Sequence, residues 1–162
     1  MEEKEIKKRI LCTSSSIVII GASSREKRPV FSVMKYLAAV GHSLYPVNPT
    51  YAGEKILGFS CVSSIKDLSV PADIVALFIS PSLQKDVVED LILFKERLRA
   101  KRGPALVDSM EDPILLKEHT VIWFQPGSEN PYFEGLLQEK GFHVISHACM
   151  MMDHRRNCSQ IR

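Results

Sequence analysis

Four consecutive β-branched residues, Ile17, Val18, Ile19 and Ile20, follow a polar approach at residues 13–16. A short run that is apolar on both sides of the pleat predicts a strand buried on both faces. Gly21, Ala22, Ser23 and Ser24 then turn the chain, and Val30, Val33, Met34, Leu37 and Val40 recur at helical spacing. Pro29 suits the first turn of that helix and Gly41 its C-terminal cap. Upstream, residues 2–11 predict a short charged helix with Ile6, Ile10 and Leu11 on one side, packing across the edge of the domain.

Further on, residues 43–47 predict a second strand, with Pro46 confining it to an irregular or weakly paired position. Residues 50–60 read as a loop over the end of the sheet, and residues 63–68 as one helical turn. A strand over 73–79 leads to Ser80 as N-cap and Pro81 as first helical residue. The helix that follows carries Leu83, Val87, Val88, Leu91, Phe94 and Leu98 on its apolar face as far as Lys101. Residues 105–107 suggest a short strand and 113–119 a short helix. Val121, Ile122, Trp123 and Phe124 form a strand closed by a turn at 125–127. Asn130 caps a helix with Phe133, Leu136 and Leu137 inside and Gly141 at its end, residues 142–145 supply the last strand, and Met150, Met151 and Met152 pack the C-terminal tail. Strands alternating with helices predict an α/β, Rossmann-like three-layer fold with a mostly parallel sheet of about five strands. In such sheets ligands lie beyond the C-terminal strand ends where the strand order reverses, and the turns at Gly21, Asn48, 79–81 and 125–127 all fall at that edge.

Composition narrows the function. A length of 162 residues gives one domain, 1–162, with residues 1–15 as a helix packed on it and no room for a second catalytic domain. A formal charge of +2 with 25% charged residues lacks the basic excess of a dedicated nucleic-acid binder, so any anion site must be local. Cys12, Cys61, Cys149 and Cys158 are widely spaced without a C-x-x-C, which predicts reduced cytosolic thiols. There is neither a signal-type segment nor an apolar run long enough to span a bilayer, so the expectation is a cytoplasmic protein without membrane or nucleic-acid partners. Association with a second copy or with another protein stays open.

The turn after the first strand suits a phosphate. Small residues let backbone approach a ligand, the next helix offers the positive end of its dipole, and Arg25, Lys27 and Arg28 add charge. The G-x-G-x-x-G fingerprint is missing, and Val47, Asn48 and Pro49 stand where a nicotinamide dinucleotide site places an acidic residue. Walker A, H-E-x-x-H and G-x-S-x-G motifs are absent, which leaves no catalytic constellation. His143, His147, Cys149 and His154 could ligate a soft divalent metal, but a strand residue and caps at the sheet edge explain them as well, and no metal site is assigned.

Gly21 to Ser23 with Arg28 and Pro29, the run Val33 to Leu37, Gly41, the segment from Tyr45 to Pro49, Pro71 with Asp73, and Cys149 together resemble the small stand-alone CoA-binding domain family. That family is similar to the N-terminal CoA-binding domain of succinyl-CoA synthetase α subunits, and the resemblance covers about residues 10–156. It implies coenzyme A or an acyl-CoA as the small-molecule ligand. Gly21, Ala22, Ser23, Ser24 and Arg25, with Arg28 nearby, would surround its phosphates; Asn48, Pro49 and the loop 51–55 with Lys55 would border the nucleotide; Ile79, Ser80 and Pro81 would line the pantetheine path. Cys149, beyond the last strand, would lie near the end of that arm, where it could form a mixed disulfide with CoA by exchange with CoA disulfide, releasing one CoA thiol, unless it is simply a buried small hydrophobe. The chain departs from the family in a longer passage at about 95–119, read as an insertion, and in having His147 and Ala148 before Cys149. The synthetase reaction does not carry over, because no ligase domain is in view. The expectation is a CoA-binding protein without a catalytic site of its own; the alternative is a small NAD(P)-binding oxidoreductase or redox sensor.

Overall fold

The computed structural model describes residues 2–100 and 116–158. Its elements are α1 (Glu3–Leu11), β1 (Ser16–Ile20), α2 (Pro29–Ala39), β2 (Ser43–Val47), β3 (Lys55–Ile56), β4 (Phe59–Ser60), β5 (Ala72–Leu77), α3 (Lys85–Ala100), β6 (Leu116–Phe124), α4 (Pro131–Glu139), β7 (His143–Ile145) and α5 (Met150–Cys158), with short 3-10 turns at Pro49–Tyr51, Ile65–Asp67 and Pro81–Leu83. Five strands form one parallel sheet in the order β2-β1-β5-β6-β7. The fold is the expected Rossmann-like α/β sandwich.

Strand alternation divides the core in two. Ile17 and Ile19 of β1, Ile74 and Ala76 of β5, and Trp123 of β6 point to one face and meet α1, α2 and α5. Val18 and Ile20, Val75 and Leu77, Ile122 and Phe124 point to the other face, beneath α3 and α4. Because both faces are covered, β1 must be apolar at every position from 17 to 20, which is the unbroken run seen in the sequence.

Pro46 sits in β2, paired in register with Ile19, at the edge of the sheet. Its carbonyl accepts from the Val62 N–H at 3.1 Å on the strand's outer side, and in extended backbone the N–H that proline lacks would face the same way. The strand is therefore regular, not the weakly paired piece expected.

Other expectations need correction. Residues 50–60 contain a tight hairpin of β3 and β4, turning through Leu57 and Gly58 at φ 52° and 84°, with Ile56 buried beneath it. Residues 116–119, expected at the end of a short helix, are instead extended in β6, where Thr120 Oγ1 donates to the Ala72 carbonyl and Lys117 reaches Asp73. Pairing with β5 outweighs the weak local helical pattern. The expectations for residues 105–107 and 113–115, and much of the insertion expected at 95–119, lie outside the described residues. The tail expected around the methionines is helix α5, which docks on α1 and buries Met150, Asp153 and Cys158. Cys12 and Cys158 form a disulfide, with Cα atoms 5.2 Å apart, so the expectation of four reduced thiols is corrected; Cys61 and Cys149 are the free thiols. No helix among the described residues is long and apolar enough to cross a membrane.

Candidate functional site

The strand order reverses between β1 and β5. β1 connects outward to β2, whereas β5 leads the other way to β6 and β7. Above the C-terminal ends of these strands lies an open cleft of about 580 Å³. That is where ligands sit in doubly wound sheets, because the connecting loops diverge there.

Gly21 makes the floor of the cleft. Its φ is +86°, and a Cβ there would stand 2.6 Å from Ile79 Cγ2 and 2.8 Å from the Phe78 carbonyl oxygen. Only glycine lets the turn after β1 approach the turn after β5 so closely. The N–H groups of Gly21 and Ala22 both donate to the Val47 carbonyl, at 2.9 and 3.3 Å, so these amides hold the turn against β2. Ala22 is fully buried.

One wall is the start of α2, with Arg25, Arg28, Pro29 and Val30. Arg28 occupies the N-cap position without a side-chain cap, which leaves the positive end of an 11-residue helix dipole directed toward the cleft rim. Ser23 is buried; its hydroxyl accepts from the Arg25 N–H at 3.1 Å and donates to the Tyr51 hydroxyl at 3.3 Å. The Ser23 hydrogen bond, and after burial's opposite effect the charge of Arg25, hold the Tyr51 phenol below its ordinary value. No carboxylate is among the described residues lining the cleft, while two arginines are.

A second wall comes from Asn48, Thr50 and Tyr51. Asn48 Nδ2 donates to the Ala22 carbonyl at 2.8 Å and its Oδ1 accepts from the Thr50 N–H at 2.9 Å. The position that an acidic residue takes in a nicotinamide site thus carries an amide that staples the first turn to the second. The Cys61 Sγ lies 3.7 Å from the Asn48 carbonyl, and burial pushes this thiol up.

The remaining wall joins Phe78, Ile79, Ser80 and Leu83 to Pro126, Gly127 and Ser128. Leu83, expected on the buried face of α3, is instead 67% exposed at the cleft. It belongs to the 3-10 turn Pro81–Leu83, which is out of phase with the helix that starts at Lys85. Ser80 precedes that turn as expected but makes no side-chain cap.

Of the residues singled out from the sequence, Gly21, Ser23, Arg25, Arg28, Asn48, Ile79 and Ser80 line this one cleft. Ser24, Pro49, Lys55 and Pro81 are exposed but outside the lining, and Ala22 lies beneath it. Cys149 is half-buried behind Gln125, whose Nε2 lies 3.7 Å from Cys149 Sγ and whose Oε1 accepts from the Met150 N–H at 3.0 Å. The late histidines do not converge: His154 Nδ1 is 2.7 Å from the Tyr36 hydroxyl, His143 is on the surface, and no three His, Cys, Asp or Glu side chains form a metal-ligand group among the described residues. Phe78, Leu83 and Ser128 were not assigned to the site in advance; the signals for them are the Ser80–Pro81 stop after β5 and the Pro126–Gly127 turn after β6.

A family model described as a CoA binding domain matches residues 15–155. The chain is 30% identical to the Bacillus subtilis protein YneT, itself uncharacterized, over 147 residues, or 91% of this chain and 90% of that one. Over 75 residues it is 31% identical to the ADP-forming acetate–CoA ligase of Methanocaldococcus jannaschii, a match of 46% of this chain and 10% of that enzyme. A solved Thermus thermophilus structure superposes with a TM-score of 0.75 at 28% identity, covering 96% of this chain and 99% of the other.

Proposed function

Because the chain belongs to the CoA binding domain family, we propose that its cleft binds coenzyme A or an acyl-CoA, and that it acts as a binding protein without catalytic groups of its own. The observation that carries this reading is the cleft at the β1–β5 switch, walled by Arg25, Arg28 and the uncapped start of α2 and free of lining carboxylates among the described residues. Several phosphate charges would be met there by two guanidinium groups and a helix dipole, each dipole contact contributing about 0.3–1 kcal/mol. Ser23, held by Tyr51, and the Asn48 staple keep the first turn in shape before the ligand arrives. The pantetheine arm would run along Ile79, Ser80 and Ser128, away from the charged wall. The similarity to an acetate–CoA ligase spans one tenth of that enzyme and supports a shared nucleotide-binding unit rather than a shared reaction.

Thermal melts with CoA, acetyl-CoA, NADH, NADPH and ATP test the proposal. A ligand at one hundred times its dissociation constant stabilises the folded state by about 2.7 kcal/mol. The expected result is protection by CoA or its thioester. Protection by a nicotinamide cofactor and none by CoA would sink the reading in favour of an oxidoreductase.

A further inference from the structure

Gln84, the residue just before α3, is fully buried although it carries an amide. Its Nε2 donates to the Ile79 carbonyl at 3.1 Å and to the Ser128 carbonyl at 2.6 Å. Those carbonyls belong to two separate loops, one following β5 and one following β6, and both residues line the cleft. Both hydrogens of the amide are spent on this bridge. The Oε1 atom is buried with no partner among the described residues. Turning the amide over would not relieve it, since an oxygen would then face two carbonyl oxygens, so the orientation is set by its neighbours. An unsatisfied buried acceptor costs stability, and an apolar side chain of the same shape would avoid that cost. What such a side chain could not do is tie the two loops together.

We infer that Gln84 is a positioning residue that fixes the spacing of the two cleft walls along which the pantetheine arm of CoA lies. The inference rests on the CoA reading of the cleft. Gln84 need not touch the ligand: it holds Ile79 and Ser128 at one separation before binding, so the ordering cost is met in the folded protein rather than on association. The phosphate end of the cleft, built on Ser23, Arg25 and Arg28, does not depend on this bridge.

The test is a calorimetric titration of wild type, Gln84→Met and Gln84→Glu with two probes, CoA and adenosine 3′,5′-bisphosphate, which lacks the arm. Gln84→Met keeps the volume and loses both donations; its affinity for CoA should fall about tenfold while that for adenosine 3′,5′-bisphosphate stays within about twofold of wild type. Gln84→Glu adds a pH readout. A neutral carboxyl can donate to one carbonyl and a carboxylate to neither, and burial raises the introduced carboxyl well above the usual carboxylate range, so its deficit in CoA affinity relative to wild type should widen as the pH rises from about 6 to about 9. Equal losses for both probes, an unchanged CoA affinity in Gln84→Met, or a pH-independent deficit in Gln84→Glu would overturn the inference while leaving the CoA reading intact. A wild-type chain that binds no CoA overturns that reading, and the inference falls with it.

Discussion

Gly21 is the residue on which both the fold and the site depend. At φ +86°, with a neighbouring carbonyl 2.8 Å from where a Cβ would stand, Gly21→Ala combines backbone strain with a clash against backbone that cannot move aside. The expected loss is about 2 kcal/mol or more by denaturant melt, together with weaker binding of the proposed CoA ligand, because Ile79 would be pushed into the cleft. Arg25 separates affinity from stability. It is exposed and its side chain lies at the cleft rather than in the core, so Arg25→Ala should leave the melting temperature near wild type. Its CoA affinity should fall about fivefold to tenfold, a deficit that shrinks in high salt. An isotherm unchanged by Arg25→Ala would place the phosphates elsewhere. Ser23 is a poorer probe than its place in the sequence suggests: it is buried and hydrogen-bonded to Tyr51, so Ser23→Asp would bury a charge and disturb the turn as well as repel phosphate.

At the scale of elements, most long apolar stripes are legible in the sequence and most short or polar elements are not; the turn at Ile65–Asp67, expected over 63–68, is there, whereas Ser80, expected as a cap, makes no side-chain cap. β1 and α4 follow their patterns closely, α2 does so apart from Val40, which ends the helix exposed, and β2 keeps its expected bounds; Asn130 caps α4 by accepting from the Phe133 N–H as its place before Pro131 implies. The hairpin of β3 and β4 has only two residues per strand, too few for a period, and its only cue is the Leu57–Gly58 turn. Helix α5 is rich in polar residues; it is stable because it docks, and docking depends on residues far away in the chain. His154 of α5 meets Tyr36 of α2 and faces His42, which is buried at the start of β2. His42 Nδ1 accepts from the Ser15 N–H, which needs an unprotonated nitrogen. Burial, and then the neighbouring His154, hold His42 below its ordinary value, and burial does the same to His154. The unfolded chain therefore takes up protons near pH 6.5 that the folded chain does not, so stability is present above that pH and is lost as the pH falls through it toward the folded-state values. His42→Asn, which keeps an acceptor for Ser15, should flatten the decline in melting temperature between about pH 7 and 5 relative to wild type. An identical decline in both proteins would show that other groups set it.

Across the whole molecule the two ends of the described chain meet. α1 and α5 lie side by side on one face of the sheet, joined by the Cys12–Cys158 disulfide and by Lys7, which ion-pairs with Asp153 at 2.9 Å without in-line hydrogen-bond geometry and stands 5.7 Å from the Trp123 ring centroid. Burial, the largest single influence on Lys7, lowers its value, but the nearby carboxylates of Glu3 and Asp153 together outweigh it and leave it raised. This clasp could not be read from cysteine spacing, since a separation of 146 residues forms no motif and only the sheet topology brings the two together. It also removes the cysteine argument for a reducing compartment. Closing so long a loop restricts the unfolded chain, and chain entropy puts the stabilisation at a ceiling of about 5 kcal/mol. Unfolded but unreduced protein should titrate two free thiols, Cys61 and Cys149, and four after reduction. Reduction should lower the melting temperature, and Cys12→Ser should reproduce that loss and become insensitive to reductant. Affinity for the proposed CoA ligand should change little, because the clasp lies behind the sheet face bearing Ile17 and Trp123 whereas the cleft opens at the strand ends. Four free thiols before reduction, or a melting temperature indifferent to reductant, would mean that the terminal helices hold together through Lys7, Asp153 and their apolar contacts alone.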